Sequence, residues 1–171
     1  MIKADARAFV DIKESEYDRI VDVDQKGQYF LVQAAARSMI RGKKGGKVVT
    51  VASVAYRGED MPKLAMMTAY NTAKAGVVGM TRGIAKELKQ YGINVNAIAP
   101  GYMDTEMNVA LTDPKNPKFT QQRYDELTQR IPAHRWGTPD DMKGCCIFLA
   151  SHASDYLGGA IIPVDGGYLV M

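Results

Sequence analysis

Residues 47–53, Lys47-Val48-Val49-Thr50-Val51-Ala52-Ser53, and residues 70–74, Tyr70-Asn71-Thr72-Ala73-Lys74, decide how the rest of the chain is read. The first stretch is β-branched and lies between Gly46 and a loop, the pattern of a strand buried on both faces. The second opens a helix with Ala73, Val77, Met80, Ile84 and Leu88 on one stripe and Gly92 as its stop. Positions four apart on a helix share a face, so Tyr70 and Lys74 point to one place. A phenol beside an ammonium is a tuned acid/base, and the cation is expected to bring the Tyr70 pKa down from about 10. The pattern gains weight from Ser53 upstream and Pro100-Gly101 downstream.

Working outward, Ser15 with Asp18 suggests a capping box that starts a helix running to about Arg41. Its predicted apolar stripe holds Tyr17, Ile20, Val21, Phe30, Leu31, Ala34, Ala35 and Ile40. Gly27 inside that helix suggests the close approach of another backbone, and Gly42 to Gly46 end it. Ile93 to Ala99 reads as a second strand, closed by Pro100-Gly101, and Ala160 to Val164 as a third. Thr138-Pro139-Asp140-Asp141 starts a helix with an N-cap, a proline at the first position and acids in the first turn. Between them, residues 102–137 are polar, with a short helical pattern around Gln121 to Arg130. So long and weakly ordered an insertion, about 103–137, is expected to be a substrate loop or lid. Alternating helices and strands give right-handed crossovers and a parallel sheet, an α/β fold in one domain spanning 1–171. Three parallel strands are a narrow sheet for these helices, and the chain reads as incomplete.

The composition is that of a soluble protein: 171 residues, 46% hydrophobic, 24% charged, formal charge +3. No apolar run is long enough for a membrane span and no signal peptide is legible, so the expected location is the cytoplasm. Lys43, Lys44 and Lys47 lie among glycines without aromatics and read as a solvated turn, which argues against nucleic acid. Cys145 and Cys146, adjacent in a helical stretch, read as buried small hydrophobes. His134 and His152 lack neighbours at ligand spacing, so no metal site is expected. Met61, Met66 and Met67 read as pocket wall.

In order along the chain, VTVASVA ending near Ser53, YNTAK at 70–74, NVNAIAPGYMDTEM at 94–107, RWGTPDD at 135–141 and VDGG at 164–167 resemble the short-chain dehydrogenase/reductase family. Within the family, the run from PGYMDTEM to VDGG is most similar to sugar-acid dehydrogenases acting on gluconate or deoxygluconate. The resemblance implies that Tyr70 is the general acid/base while hydride passes to or from a nicotinamide cofactor, NAD or NADP. It implies that Lys74 tunes Tyr70 and holds the ribose hydroxyls, and that Ser53 bonds the substrate oxygen. Pro100, Gly101 and Thr105 would bracket the nicotinamide; the bland reading of Thr105 is a helix cap. For a sugar acid, one of Arg130, His134 and Arg135 is a candidate for the carboxylate, against a structural arginine in the turn.

Two departures stand beside these matches. Asp24 in VDVDQKG occupies a place where the family usually has Asn, which puts the proton relay to Lys74 in question; a solvated helix acid is the competing reading. The family's Gly-rich strand-turn-helix is also missing, since Gly42-Lys43-Lys44-Gly45-Gly46 precedes a strand instead of a helix. The fold expected is therefore the C-terminal portion of a doubly wound Rossmann-type parallel sheet with the first βαβ units missing. Weak cofactor binding by this chain alone follows as an expectation. So does homo-oligomerisation through helices 15–41 and 68–91, and a non-catalytic remnant serving as an oligomerisation partner is the alternative.

Overall fold

The structure is a computed structural model and describes residues 9–58 and 68–170. Helices α1 (Glu14–Val21) and α2 (Gly27–Gly42) are joined without a break by a five-residue π turn, Asp22–Lys26. Strand β1 (Gly46–Val51) follows, then helix α3 (Thr68–Leu88) and strand β2 (Ile93–Pro100). Short helices α4 (Val109–Thr112) and α5 (Gln121–Gln129) precede α6 (Lys143–Ala150) and strand β3 (Ile161–Val164). The strands form one parallel sheet in the order β1-β2-β3, with Val48 opposite Val95 and Ile98 opposite Ile162. The expected narrow α/β sheet is what the described residues build. Met61, Met66 and Met67 lie outside them.

Strand β2 is central, and its alternation explains both layers. Ile93, Val95, Ala97 and Ala99 are all fully buried and pack with Ala85, Val77 and Val78 of α3. The intervening Asn94 and Asn96 are just as buried, so their amides must find partners. Asn94 Nδ2 donates to the carbonyls of Ser154, Asp155 and Leu157 at 3.2, 2.8 and 2.7 Å. Asn96 Oδ1 accepts from the Ala160 N–H at 2.9 Å. These two residues stitch the segment after α6 onto the sheet and so position β3. Across the α3 layer, the Thr50 and Thr81 hydroxyls share a buried hydrogen bond of 2.7 Å.

Several local expectations need correction. Helix α1 is capped at Lys13, whose N–H donates to the Glu16 carboxylate at 3.1 Å, two residues earlier than a Ser15–Asp18 box. The inward face of α1–α2 carries Ile20, Asp24, Val32 and Ala36, whereas Tyr17, Phe30 and Leu31 point outward, Leu31 being 72% exposed. The π turn inserts an extra residue into the helical repeat and rotates the faces, which a regular 3.6 period does not anticipate. A Cβ on Gly27 would lie 3.3 Å from the Asp22 carbonyl of its own turn, so the close approach is not to another element. The true close approach is at Gly76 of α3, where a Cβ would sit 2.5 Å from the Gln25 amide.

Helix α2 ends at Gly42, as expected, and its C-cap Lys43 takes the left-handed region at φ 53°. Lys47 is no free turn lysine, for its ammonium pairs with Asp155 at 2.7 Å. Cys145 and Cys146 are only half-buried, because α6 buries Leu149 and leaves Ile147 69% exposed. Residues 102–137 are not weakly ordered. Trp136 is buried, stacks on Tyr124 at 6.0 Å, meets Tyr102 edge-on at 5.3 Å and donates its indole N–H to Thr128 Oγ1 at 3.0 Å. A few large rings supply the apolar area that the polar composition hides.

Candidate active site

The site forms where the C-terminal end of β1, the start of α3 and the π turn meet. Strand β1 ends at Val51, and Ser53 leaves it in extended conformation to cap a short turn, its hydroxyl accepting the Ala55 N–H at 3.2 Å. Tyr70 and Lys74, one turn apart on α3, face this strand end. The Ser53 hydroxyl lies close enough to the Tyr70 phenol to favour its ionised form. The Lys74 ammonium lies 5.4 Å from the centre of the Tyr70 ring. Tyr70 itself packs among Ile20, Val21, Ala69 and Ala73. Tyr70 and Lys74 share the helix face that their spacing predicts, and Ser53 lies beside them as the family resemblance implies.

Asp24 belongs to the same group and is not a solvated helix acid. It is 8% exposed, and its carboxylate pairs with Lys74 Nζ at 3.2 Å. Lys74 Nζ also donates to the Val51 carbonyl at 3.2 Å. An ion pair this dry survives only when both partners are satisfied by further bonds. Part of that support comes from Gln28, a residue the sequence reading passed over. Its amide donates to the Asp24 carbonyl at 2.7 Å and to the Val51 carbonyl at 3.1 Å, and accepts the Val51 N–H at 3.0 Å. The signal was present: Gln28 stands four residues after Asp24, on the same helical face.

The protonation of Tyr70 runs opposite to expectation. Its pKa is pushed up to about 12, first by burial and further by the Asp24 anion, with the Ser53 hydrogen bond opposing both. The sequence reading counted the ammonium and not its counter-ion. Desolvation favours the neutral phenol, and a carboxylate 3.2 Å from the ammonium offsets its attraction for phenolate.

The residues expected at the nicotinamide and substrate ends occupy the neighbouring rim. Pro100 ends β2 beside Val164. Gly101 is required by packing, for a Cβ there would lie 2.7 Å from the Asp165 backbone. Asp165 in turn accepts the N–H groups of Gly167 and Leu169 at 3.0 and 2.9 Å, which makes VDGG a structural corner. Thr105 stands at an N-cap position, yet its hydroxyl makes no capping bond. Arg135 is committed elsewhere: its guanidinium grips both Asp141 oxygens at 2.8 Å, and Arg135 holds the Asp141 pKa well below the usual carboxylate range. That fork secures the Thr138 cap, so Arg135 fits the structural reading. Arg130 lies over the Tyr168 ring at 5.7 Å with one buried N–H group lacking an acceptor. His134 is exposed and holds φ 53°.

A nicotinamide cofactor fits part of this donor set. Lysine carries three N–H donors, and two acceptors, Asp24 and the Val51 carbonyl, leave one for a ribose hydroxyl. For the pyrophosphate the described residues hold no glycine-rich turn from a strand into a helix. Among the described residues no group of three His, Cys, Asp or Glu side chains is placed to hold a metal, and no helix is long and apolar enough to cross a membrane.

A parallel sheet with Ser, Tyr and Lys gathered at its carboxyl edge defines a class of oxidoreductase domain. The sequence model described as Enoyl-(Acyl carrier protein) reductase matches residues 2–169, and the chain belongs to this short-chain dehydrogenase/reductase family. It is 40% identical over 161 residues to the 2-dehydro-3-deoxy-D-gluconate 5-dehydrogenase of Escherichia coli (strain K12), covering 94% of this chain and 59% of that protein. The 5-keto-D-gluconate 5-reductase of the same strain is 38% identical over 163 residues, covering 95% and 59%. A crystal structure of a gluconate 5-dehydrogenase from Burkholderia cenocepacia J2315, in complex with NADP and tartrate, matches with a TM-score of 0.85 at 34% identity, over 96% of this chain and 60% of that one. The chain therefore spans about three-fifths of the length of these relatives.

Proposed function

We propose that this chain carries the proton-transfer half of a dehydrogenase active site, which acts on a secondary alcohol or ketone of a sugar acid. The observation that carries the reading is the convergence of Ser53 and Lys74 on the Tyr70 side chain at the end of β1, with Lys74 on the same face of α3. In this role the Tyr70 hydroxyl gives its proton to the substrate oxygen during reduction and takes one back during oxidation. Ser53 holds that oxygen and steadies the developing charge. Lys74 fixes the nicotinamide ribose through its third N–H donor, with Pro100, Gly101 and Thr105 alongside. A bound NAD or NADP supplies the hydride. Arg130 and His134 are the side chains offered to the substrate carboxylate. The names of the relatives, which act on gluconate derivatives, support the sugar-acid class.

Cofactor binding by the chain alone is weak in this reading, because the donor set stops short of the pyrophosphate. Self-association through the outward faces of α2 and α3 accompanies it, supported by Phe30 and Leu31, which are 55% and 72% exposed. Residues 103–137 serve as the substrate loop, and a cytoplasmic location goes with this chemistry. A second reading, a non-catalytic remnant that acts as an oligomerisation partner, is favoured by the lack of a glycine-rich turn from a strand into a helix among the described residues.

The experiment is NADPH or NADH consumption at millimolar cofactor with 5-ketogluconate and related sugar acids, alongside Tyr70→Phe. Turnover that disappears in Y70F supports the dehydrogenase. Absence of Tyr70-dependent turnover with every sugar acid, in a folded protein that self-associates, establishes the remnant instead. Calorimetry tests the cofactor claim separately, and micromolar affinity for either nucleotide refutes weak binding.

A further inference from the structure

The buried carboxylate of Asp24 is not placed to hold substrate or cofactor, yet among the described residues it is the anion paired with Lys74 beside Tyr70. From the geometry of the π turn, we propose that Asp24 is a tuning residue. Its carboxylate is the internal counter-ion of Lys74, and by cancelling that charge it keeps Tyr70 a phenol and displaces proton transfer toward alkaline pH. The assignment deepens the dehydrogenase reading in its consequence for turnover and stands on the ion pair for its cause.

Three observations lead to it. The Asp24 carboxylate and the Lys74 ammonium are 3.2 Å apart, with side-chain exposures of only 9% and 7%, so solvent screens the pair little. The ammonium is 5.4 Å from the Tyr70 ring centre, so the anion beside it opposes its field at the phenol. The backbone that carries the carboxylate is also held in place, because the Asp24 carbonyl is tied by Gln28 and the chain there runs as a π turn, a local geometry common at functional sites.

No other described charge competes for the role. Helix α1 meets Tyr70 with Ile20 and Val21, while its Glu14, Asp18 and Arg19 face solvent and Glu16 is engaged by the Lys13 N–H. In the π turn, Asp22 pairs with Lys26 on the outer face at 2.9 Å. From α2 the neighbouring group is the neutral Gln28, with Arg37 and Arg41 exposed. The turn after Ser53 carries Arg57, which donates to the Leu169 carbonyl. Lys47 of β1 is held by Asp155, and β2 has no charged residue. Burial is the larger cause of the upward displacement of Tyr70, and the Asp24 anion adds to it.

The test is the titration of Tyr70 in the cofactor-free chain, read as the phenolate absorbance difference near 295 nm between the wild type and Tyr70→Phe, and repeated for Asp24→Asn. In the wild type Tyr70 is expected to be mostly protonated at pH 11. In D24N, with the far-UV spectrum and melting temperature retained, its acidity is expected to rise at least tenfold. Asp24→Ser, which also removes the charge, serves if D24N does not fold. A wild-type Tyr70 half-ionised at or below pH 10 overturns the proposal without any variant. So does a folded neutral variant whose Tyr70 titrates as in the wild type, since a merely structural role for Asp24 predicts that outcome. Because the readout needs neither cofactor nor substrate, it is decided separately from the dehydrogenase reading.

Discussion

Replacing Gln28 by leucine tests whether the π turn and the end of β1 are held together by one amide. Leucine has nearly the same volume, so packing is retained and three hydrogen bonds are lost. The three are not equal. Val51 is 44% exposed, so its N–H and carbonyl, paired with Gln28 at 3.0 and 3.1 Å, exchange the amide for water at about 0.5 kcal/mol each. The Asp24 carbonyl belongs to a buried residue and accepts the shortest bond, 2.7 Å. Losing this buried bond costs about 1–2 kcal/mol, since water reaches the carbonyl poorly. Together the loss is about 2–3 kcal/mol, or roughly 5–10 °C in melting temperature for a chain of this size. Urea denaturation at neutral pH reads it as a lower midpoint with an unchanged m-value. A loss below about 0.5 kcal/mol at constant m would show that Gln28 decorates the strand edge without anchoring the turn.

Alkaline stability should depend on Tyr70. Its folded pKa of about 12 lies above the unfolded value near 10, so the folded chain keeps a proton that the unfolded chain releases. The contribution is therefore present below about pH 10 and lost as pH rises toward 12, and the wild type should lose about 2 kcal/mol more than Tyr70→Phe across that window. Parallel urea midpoints for the two proteins contradict this. Gly101→Ala places a Cβ 2.7 Å from the Asp165 backbone, which cannot swing aside as a flexible side chain would. It should cost about 1–3 kcal/mol and speed hydrogen exchange at the amide of residue 101, which donates to the Val164 carbonyl at 3.0 Å. Asn94→Ala strips the donor from the carbonyls of Ser154, Asp155 and Leu157 and should cost about 2–4 kcal/mol by calorimetry. A smaller loss means that water replaces the amide, and the segment after α6 would then remain in place.

The amino-acid sequence alone determined the order of the elements, the three parallel strands and the shared helix face of Tyr70 and Lys74, with Ser53 added by the family resemblance. Each rests on short-range regularities: β-branched runs between glycines, the four-residue spacing of a helix face, and a proline or glycine at a boundary. It also held the matching motifs at 94–107, 135–141 and 164–167 that the family membership rests on. Only the tertiary structure decided how these residues are charged and braced. Asp24 became the partner of Lys74 because a π turn swings it inward, and no regular helical period contains that turn. The field at Tyr70 then changed sign in its effect, since pKa depends on burial and on every charge nearby, and those distances arise only when separate elements pack. The same holds for Arg135, free in the sequence and bound to Asp141 in the fold, and for Gly101, whose small size answers Asp165 sixty-four residues away.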